Sequence, residues 1–318
     1  MHEKLTVEMR DRMEDYISQF LNYIENERRY SKQTVLAYSK DLNEFHKFLE
    51  SSGETDITKL VYQDFRLFLA FLNERELART TISRKLSSLR VFFKYALRMD
   101  WIDSNPMELI QYNVKKQRLP DFFYEDEMRE LFTAIEVSES SMQLLHSALV
   151  ELLYATGMRV SELTNLTLQQ VDYDMSLVRV IGKGNKERII PVGDLALKSL
   201  TKYIQELRPE LAAKSKPEDR NYVFLSKTGL QLSPTQVRKI LNSIVKEAGL
   251  NLSIHPHKLR HTFATHLLNN GADMRSVQEL LGHEDLSSTQ VYTHITKDRL
   301  RSTYLNVFPR AKRQHKEE

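Results

Sequence analysis

In the first 110 residues the apolar side chains recur at helical spacing, and this limits the possible folds more than any other feature of the chain. Met13, Tyr16, Ile17, Phe20 and Ile24 fall at i, i+3, i+4, i+7 and i+11. Ser31 is placed to cap a second stripe of Val35, Tyr38, Leu42, Phe45 and Leu49. A third stripe covers 61 to 75 (Phe65, Phe68, Leu69, Leu72), and a fourth runs from Thr81 to Met99 with Ile82, Leu86, Leu89, Phe93 and Leu97 facing inward. Four amphipathic helices with short polar links, stopped at Asn105-Pro106, predict a small bundle.

The remaining residues follow a different pattern. Residues 111–120 are polar, basic (Lys115, Lys116, Arg118) and closed by Pro120, so they read as a linker between a domain at 1–110 and another at 121–318. Glu125, Asp126 and Glu127 form the acidic first turn of a new helix, and helix continues through Ser141 to Thr156, where Gly157 breaks it. After a short helix over Val160 to Leu166, two β-branched runs, Leu177–Ile181 and Ile189–Val192, flank Gly182-Lys183-Gly184-Asn185-Lys186 and predict a hairpin. Helices return at 194–207, 234–248, 257–269, 274–281 and 287–293, with a brief apolar run at Tyr222–Leu225. The fold class expected is mainly α with a small β-sheet.

Composition removes several chemistries. The 318 residues include no cysteine, which excludes disulfides, a thiol nucleophile and Cys-ligated metal, and fits a reducing compartment such as the cytoplasm. No apolar run approaches the roughly 18 residues of a membrane span, and the charged first 25 residues hold no secretory signal. Lys and Arg number 46 against 43 acids, so the surplus of +3 matters less than its location.

One location is the fourth helix, where Arg79, Arg84, Lys85, Arg90, Lys94 and Arg98 occur without an acid among them. A solvated face would explain them, but cations lacking i,i+4 carboxylates repel one another, and a bound polyanion would remove that cost. The hairpin turn is another: Lys183, Lys186 and Arg188 cluster there. Gly182-Lys183-Gly184 lacks the P-loop spacing, so nucleotide binding has no support. A lysine on a stiff two-stranded arm is instead suited to reach a groove or a phosphate.

Six of the ten histidines fall within 255–294. His257 and His261 share a helix face, but Lys258 occupies the position where a zinc-protease motif needs Glu, so no metal is expected. Arg260 shares the face of His257. Arg159 begins a helix, a poor place for a cation unless an anion bridges it to the helix amides; pairing with Glu162 at i+3 is the structural alternative.

In order along the chain, Arg159 in TGMRVSEL, Lys183 in GKGNKER, His257 and Arg260 in HKLRH, His283 after Leu281-Gly282, and Tyr292 nine residues later resemble the tyrosine recombinase (phage-integrase-like) family. The chain is most similar to the Xer branch, over essentially its whole length. The resemblance implies a SAM-like, four-helix core-binding domain and an α+β catalytic domain, with no metal, nucleotide or other cofactor. It implies that Tyr292 is the nucleophile, Lys183 the general acid, and Arg159, Arg260, His257 and His283 the groups around the phosphate, with Glu162 structural or orienting. Arg79, Arg84, Lys85, Arg90, Lys94, Lys186 and Arg188 are the expected DNA contacts. The implied partners are duplex DNA with inverted-repeat half-sites, a second Xer-type recombinase in a heterotetramer, and a septal DNA translocase. A terminal helix bearing Leu300, Tyr304, Leu305, Val307 and Phe308 is expected to dock on a neighbouring recombinase. A mobile-element integrase and a type IB topoisomerase-like enzyme remain the alternatives.

Overall fold

The computed structural model describes residues 2–112, 122–182, 187–282 and 294–311, with side chains described for all but residues 2–11 and 294–299. The chain divides into two compact units, Met1–Gln117 and Arg118–Glu318. The 111–120 linker and the helix expected at 287–293 fall wholly or mostly outside the described residues.

The first unit holds α1 (His2–Asn22), extended by a π turn over Tyr23–Glu27, α2 (Lys32–Ser52), α3 (Tyr62–Glu74) and α4 (Arg79–Arg98). Ser31 caps α2 by accepting from the Thr34 N–H at 3.3 Å. The apolar stripes meet in a core rich in aromatic rings: Phe45 lies 5.2 Å from Phe65, Phe65 4.9 Å from Phe93, and Phe20 5.4 Å from Phe92. Offset and edge contacts of this kind add to the burial energy. Leu97, expected to face inward, is instead exposed, because the buried face of α4 passes through Leu89, Phe92, Phe93 and Ala96 and leaves Leu97 one position off it.

The absence of acids along α4 is offset from another helix. Asp41 of α2 is buried, accepts from Ser88 Oγ at 2.7 Å and pairs with Arg84 and with Lys85 at 3.3 Å, while Glu44 also pairs with Lys85. The α4 cations have no carboxylates on their own helix, but Arg84 and Lys85 are paired from α2, so their charge needs no polyanion to offset it. Lys85 is itself buried, so its ammonium cannot be a surface DNA contact.

The second unit is built around α6 (Gln143–Thr156), which is buried on every side and thus belongs in the middle of a core. It packs against α5 (Glu125–Glu136), α8 (Asp194–Lys202), α10 (Pro234–Glu247) and α11 (Pro256–Asn269). The short α7 (Val160–Thr164) leads to a three-stranded antiparallel sheet of order β1 (Val171–Asp172), β2 (Leu177–Ile181) and β3 (Glu187–Pro191). The two-residue β1 carries too little pattern to be seen in sequence. A π turn, Tyr203–Leu207, joins α8 to α9 (Arg208–Ala213), and α12 (Met274–Leu281) and α13 (His294–Val307) complete the unit.

The C-terminal segment packs on its own domain, which corrects the expectation that it docks on a neighbour. Leu300, Tyr304, Phe308 and Ala311 are buried in the same core as α6. Tyr304 Oη accepts from the Gly193 N–H at 3.1 Å, the Asp194 N–H donates to the Ala311 carbonyl at 3.0 Å, and Arg310 pairs with buried Glu151 while lying 4.0 Å over the Phe132 ring. Of the stripe, Leu300, Tyr304 and Phe308 are taken up by the chain's own core, and Leu305 and Val307 are half-buried against it.

Candidate active site

The α6–α7 junction begins the site. At Gly157, φ is +57°, a left-handed turn that ends α6, and an added Cβ would lie 2.3 Å from the Phe263 ring of α11. Glycine is needed here both for its conformation and for the close approach of α11. Two residues later Arg159 caps α7 in extended conformation. Glu162 turns back on it, accepting from the Arg159 N–H at 2.6 Å and from its guanidinium at 3.0 Å. The anion expected at this helix start is thus supplied by the chain itself. The Arg159 side chain nevertheless stays 40% exposed, open on its outer side.

Arg260, on α11, is set by backbone. Its Nη1 donates to the Gly157 carbonyl at 2.6 Å and its Nη2 to the Leu281 carbonyl at 2.7 Å. Both carbonyls lie at helix C-termini, of α6 and α12, where the macrodipole is negative and favours a cation. Burial, and then repulsion from Arg159 and Arg188, lower the Arg260 pKa to about 10. A guanidinium has five N–H donors, so three remain for another acceptor.

His257 lies exposed one turn before Arg260. Partial desolvation, then the charges of His255, Arg260, Arg238 and Arg159, hold its pKa below the ordinary 6.5. The neutral imidazole is therefore the resting form at neutral pH and can accept a proton. Arg238, on α10, was missed in sequence because nothing local marks it; it becomes notable only through the fold, which brings α10 near the start of α11.

Arg188 is not where the basic hairpin suggested. It is 5% exposed and bonds both Glu162 oxygens at 2.9 and 2.8 Å. In the sheet register it stands opposite Val180, which is buried, so it shares the core face with Ile190. The parity signal was present in sequence: Arg188 and Ile190 must share a face. A DNA-contact role for Arg188 is accordingly withdrawn. Burial works to raise the Glu162 pKa, but hydrogen bonds and charge from Arg188, with the bonds from Arg159, hold it below the carboxylate range.

The other histidines divide by environment. His266 is buried between Tyr154 Oη at 2.7 Å and the Phe123 carbonyl at 2.8 Å, a satisfied core residue, whereas His261 is exposed. No cluster of metal-ligating side chains occurs among the described residues, nor any helix long and apolar enough to cross a membrane. Lys183, Lys186, His283 and Tyr292 fall outside the described residues. Of the expected catalytic residues, then, the structure brings together Arg159, His257 and Arg260.

Comparison with known proteins follows the same lines. Residues 121–299 match the Phage integrase family and residues 17–100 the phage integrase N-terminal SAM-like domain. A protein of Anoxybacillus flavithermus called tyrosine recombinase XerC is 47% identical over 293 residues, covering 92% of this chain and 97% of its own. The protein of that name from Bacillus subtilis is 44% identical over 301 residues, 95% and 98% of the two chains. Among solved structures, the Tn1549 transposon integrase with circular intermediate DNA shares the fold at TM-score 0.71, with 19% identity, over 90% of this chain and 98% of that one. XerH recombinase bound to difH superposes at 0.64, with 22% identity, over 90% and 82%.

Proposed function

Because the chain belongs to the phage integrase family of tyrosine recombinases, a DNA breaking and rejoining enzyme of site-specific recombination, we propose that it resolves chromosome dimers at a dif-like site during cell division. Its relatives named XerC, 47% and 44% identical over nearly the whole chain, support this over a mobile-element integrase. On this reading it works in the cytoplasm on DNA with inverted-repeat half-sites, in a heterotetramer with a XerD-like recombinase, under an FtsK-like septal translocase.

The observation that carries the chemical reading is the group of basic side chains at one place: Arg260, Arg238 and Arg159 all act on the neutral His257, Arg159 acts also on Arg260, and Glu162 is the neighbouring acid. Such a site is short of negative charge, and a phosphodiester would supply it. Arg159 and Arg260 each offer paired N–H donors to the non-bridging oxygens, a geometry lysine lacks. Tyr292 attacks phosphorus, the P–O bond to the 5′ oxygen breaks, and a 3′-phosphotyrosyl bond keeps the energy of the linkage for rejoining. Ionising a free tyrosine at pH 7 costs about 4 kcal/mol, a cost that neighbouring cations lower, and neutral His257 takes the proton as the bond to phosphorus forms. Lys183 protonates the leaving 5′ oxygen, and His283 donates to a non-bridging oxygen as charge builds.

A nicked suicide duplex bearing a dif-like inverted repeat tests this. The unaltered chain should form an SDS-resistant adduct in EDTA and without nucleotide. Tyr292→Phe should bind the duplex and form none. An adduct from the Phe variant, or strict dependence of cleavage on a divalent metal, would remove the mechanism.

A further inference from the structure

Arg188 makes no use of its charge at the surface, yet two separate segments meet on it. Its Nη1 and Nη2 take the Glu162 carboxylate of α7, and its Nε donates to the Leu280 carbonyl in the last turn of α12 at 3.0 Å. Glu162 in turn holds both the backbone and the guanidinium of Arg159. Leu280 adjoins Leu281, whose carbonyl holds Arg260. Gly282, with φ of +67°, lets the α12 end close on the same side chain, since a Cβ there would lie 3.0 Å from Arg188 Cδ and 3.2 Å from Nη1.

A buried guanidinium is costly unless each direction it presents is met by an acceptor. Here the planar fork meets a carboxylate on one side and a helix-terminal carbonyl on another, a combination an ammonium cannot copy. We propose that Arg188 is a positioning residue for strand cleavage: one buried fork that fixes Arg159 through Glu162 and fixes the carbonyl seat of Arg260 through the end of α12. The proposal rests on the reading of Arg159 and Arg260 as phosphate ligands. It accounts for a cation on the core face of β3, which neither hairpin stability nor DNA affinity requires. Ordering both arginines before DNA arrives means the transition state need not reorganise them.

The test separates binding from chemistry. Single-turnover cleavage of the suicide duplex is followed with the full chain at saturation, alongside half-site affinity by gel shift. Arg188→Ala should lower the cleavage rate roughly tenfold to a hundredfold, as expected for a misplaced catalytic group. Half-site affinity should stay within about twofold, the pattern of an interaction felt only in the chemical step. Methylguanidinium added at millimolar concentration should restore part of the rate, and methylammonium should not. Arg188→Lys, which keeps charge and most of the volume, should remain slow with normal affinity, and it carries the test should the alanine variant not fold. Wild-type rates in both variants, or rate and affinity lost in proportion, would overturn the proposal. No adduct from the unaltered chain would bring down the phosphate-site reading and this proposal with it. An adduct formed equally fast by the variants would bring down this proposal alone.

Discussion

Arg188 and Arg260, one on a strand and one on a helix, donate to the adjacent carbonyls of Leu280 and Leu281. Two cations thus seat the last turn of α12, directly before the segment that leads to Tyr292. Arg188 links this turn to Glu162, which also holds Arg159.

Removing Glu162 should be severe. Glu162→Ala leaves the Arg188 guanidinium buried without its carboxylate, a change that costs about 3–5 kcal/mol. The urea midpoint of the catalytic-domain transition is the readout. The Glu162 pKa lies below its ordinary 4.5 in the fold. Its contribution is therefore complete above about pH 4.5 and lost as pH falls through the lowered value. Glu162→Gln should flatten that acid loss; an unchanged acid profile would show that another group sets it.

His257 should shape the activity profile at a different pH. Its pKa is depressed below 6.5 in the free protein, so cleavage per unit of free enzyme should not respond to it above about pH 6.5 and should fall below that as the ring takes a proton. His257→Gln should lower the rate and erase this limb. A limb that survives in the variant would assign it to another group.

The C-terminal segment should behave as core. Tyr304→Ala removes a fully buried ring and should cost about 3–5 kcal/mol. Truncation before Leu300 should destabilise the monomer, seen as a lower melting temperature without DNA. A truncated chain as stable as the full one would restore the docking role assigned from sequence.

On α4, Arg79 and Lys94 are exposed and have no carboxylate partner among the described residues. Changing both to alanine should reduce the magnitude of the log–log salt slope of DNA binding by up to roughly 0.9 per contact. Lys85→Met should leave the slope unaltered. A slope that moves with Lys85 and not with the other two would reverse this assignment.

What could be read in advance followed the range of each signal. Helical stripes act over a few residues, so α2 with its Ser31 cap, the break at Gly157 and the β2–β3 hairpin were all visible. Partners distant in sequence were not: Asp41 meets Lys85 across 44 positions, and Glu162 meets Arg188 across 26. A basic residue beside a turn looks the same whether it faces water or a buried carboxylate. Arg159, His257 and Arg260 could be chosen because their motifs are local and ordered along the chain, whereas Arg238 had no motif to mark it.

The grip of Arg260 on the Leu281 carbonyl also fixes the length of the connection before it. Residues 270–273 join α11 to α12, and each residue of helix advances the backbone by roughly 100°. One inserted residue in that connection would let α12 keep its apolar face on the core or its terminal carbonyls on Arg188 and Arg260, but not both. In this domain the tolerance of a loop to insertion is decided by what the next helix must present at its far end, not by how exposed the loop is.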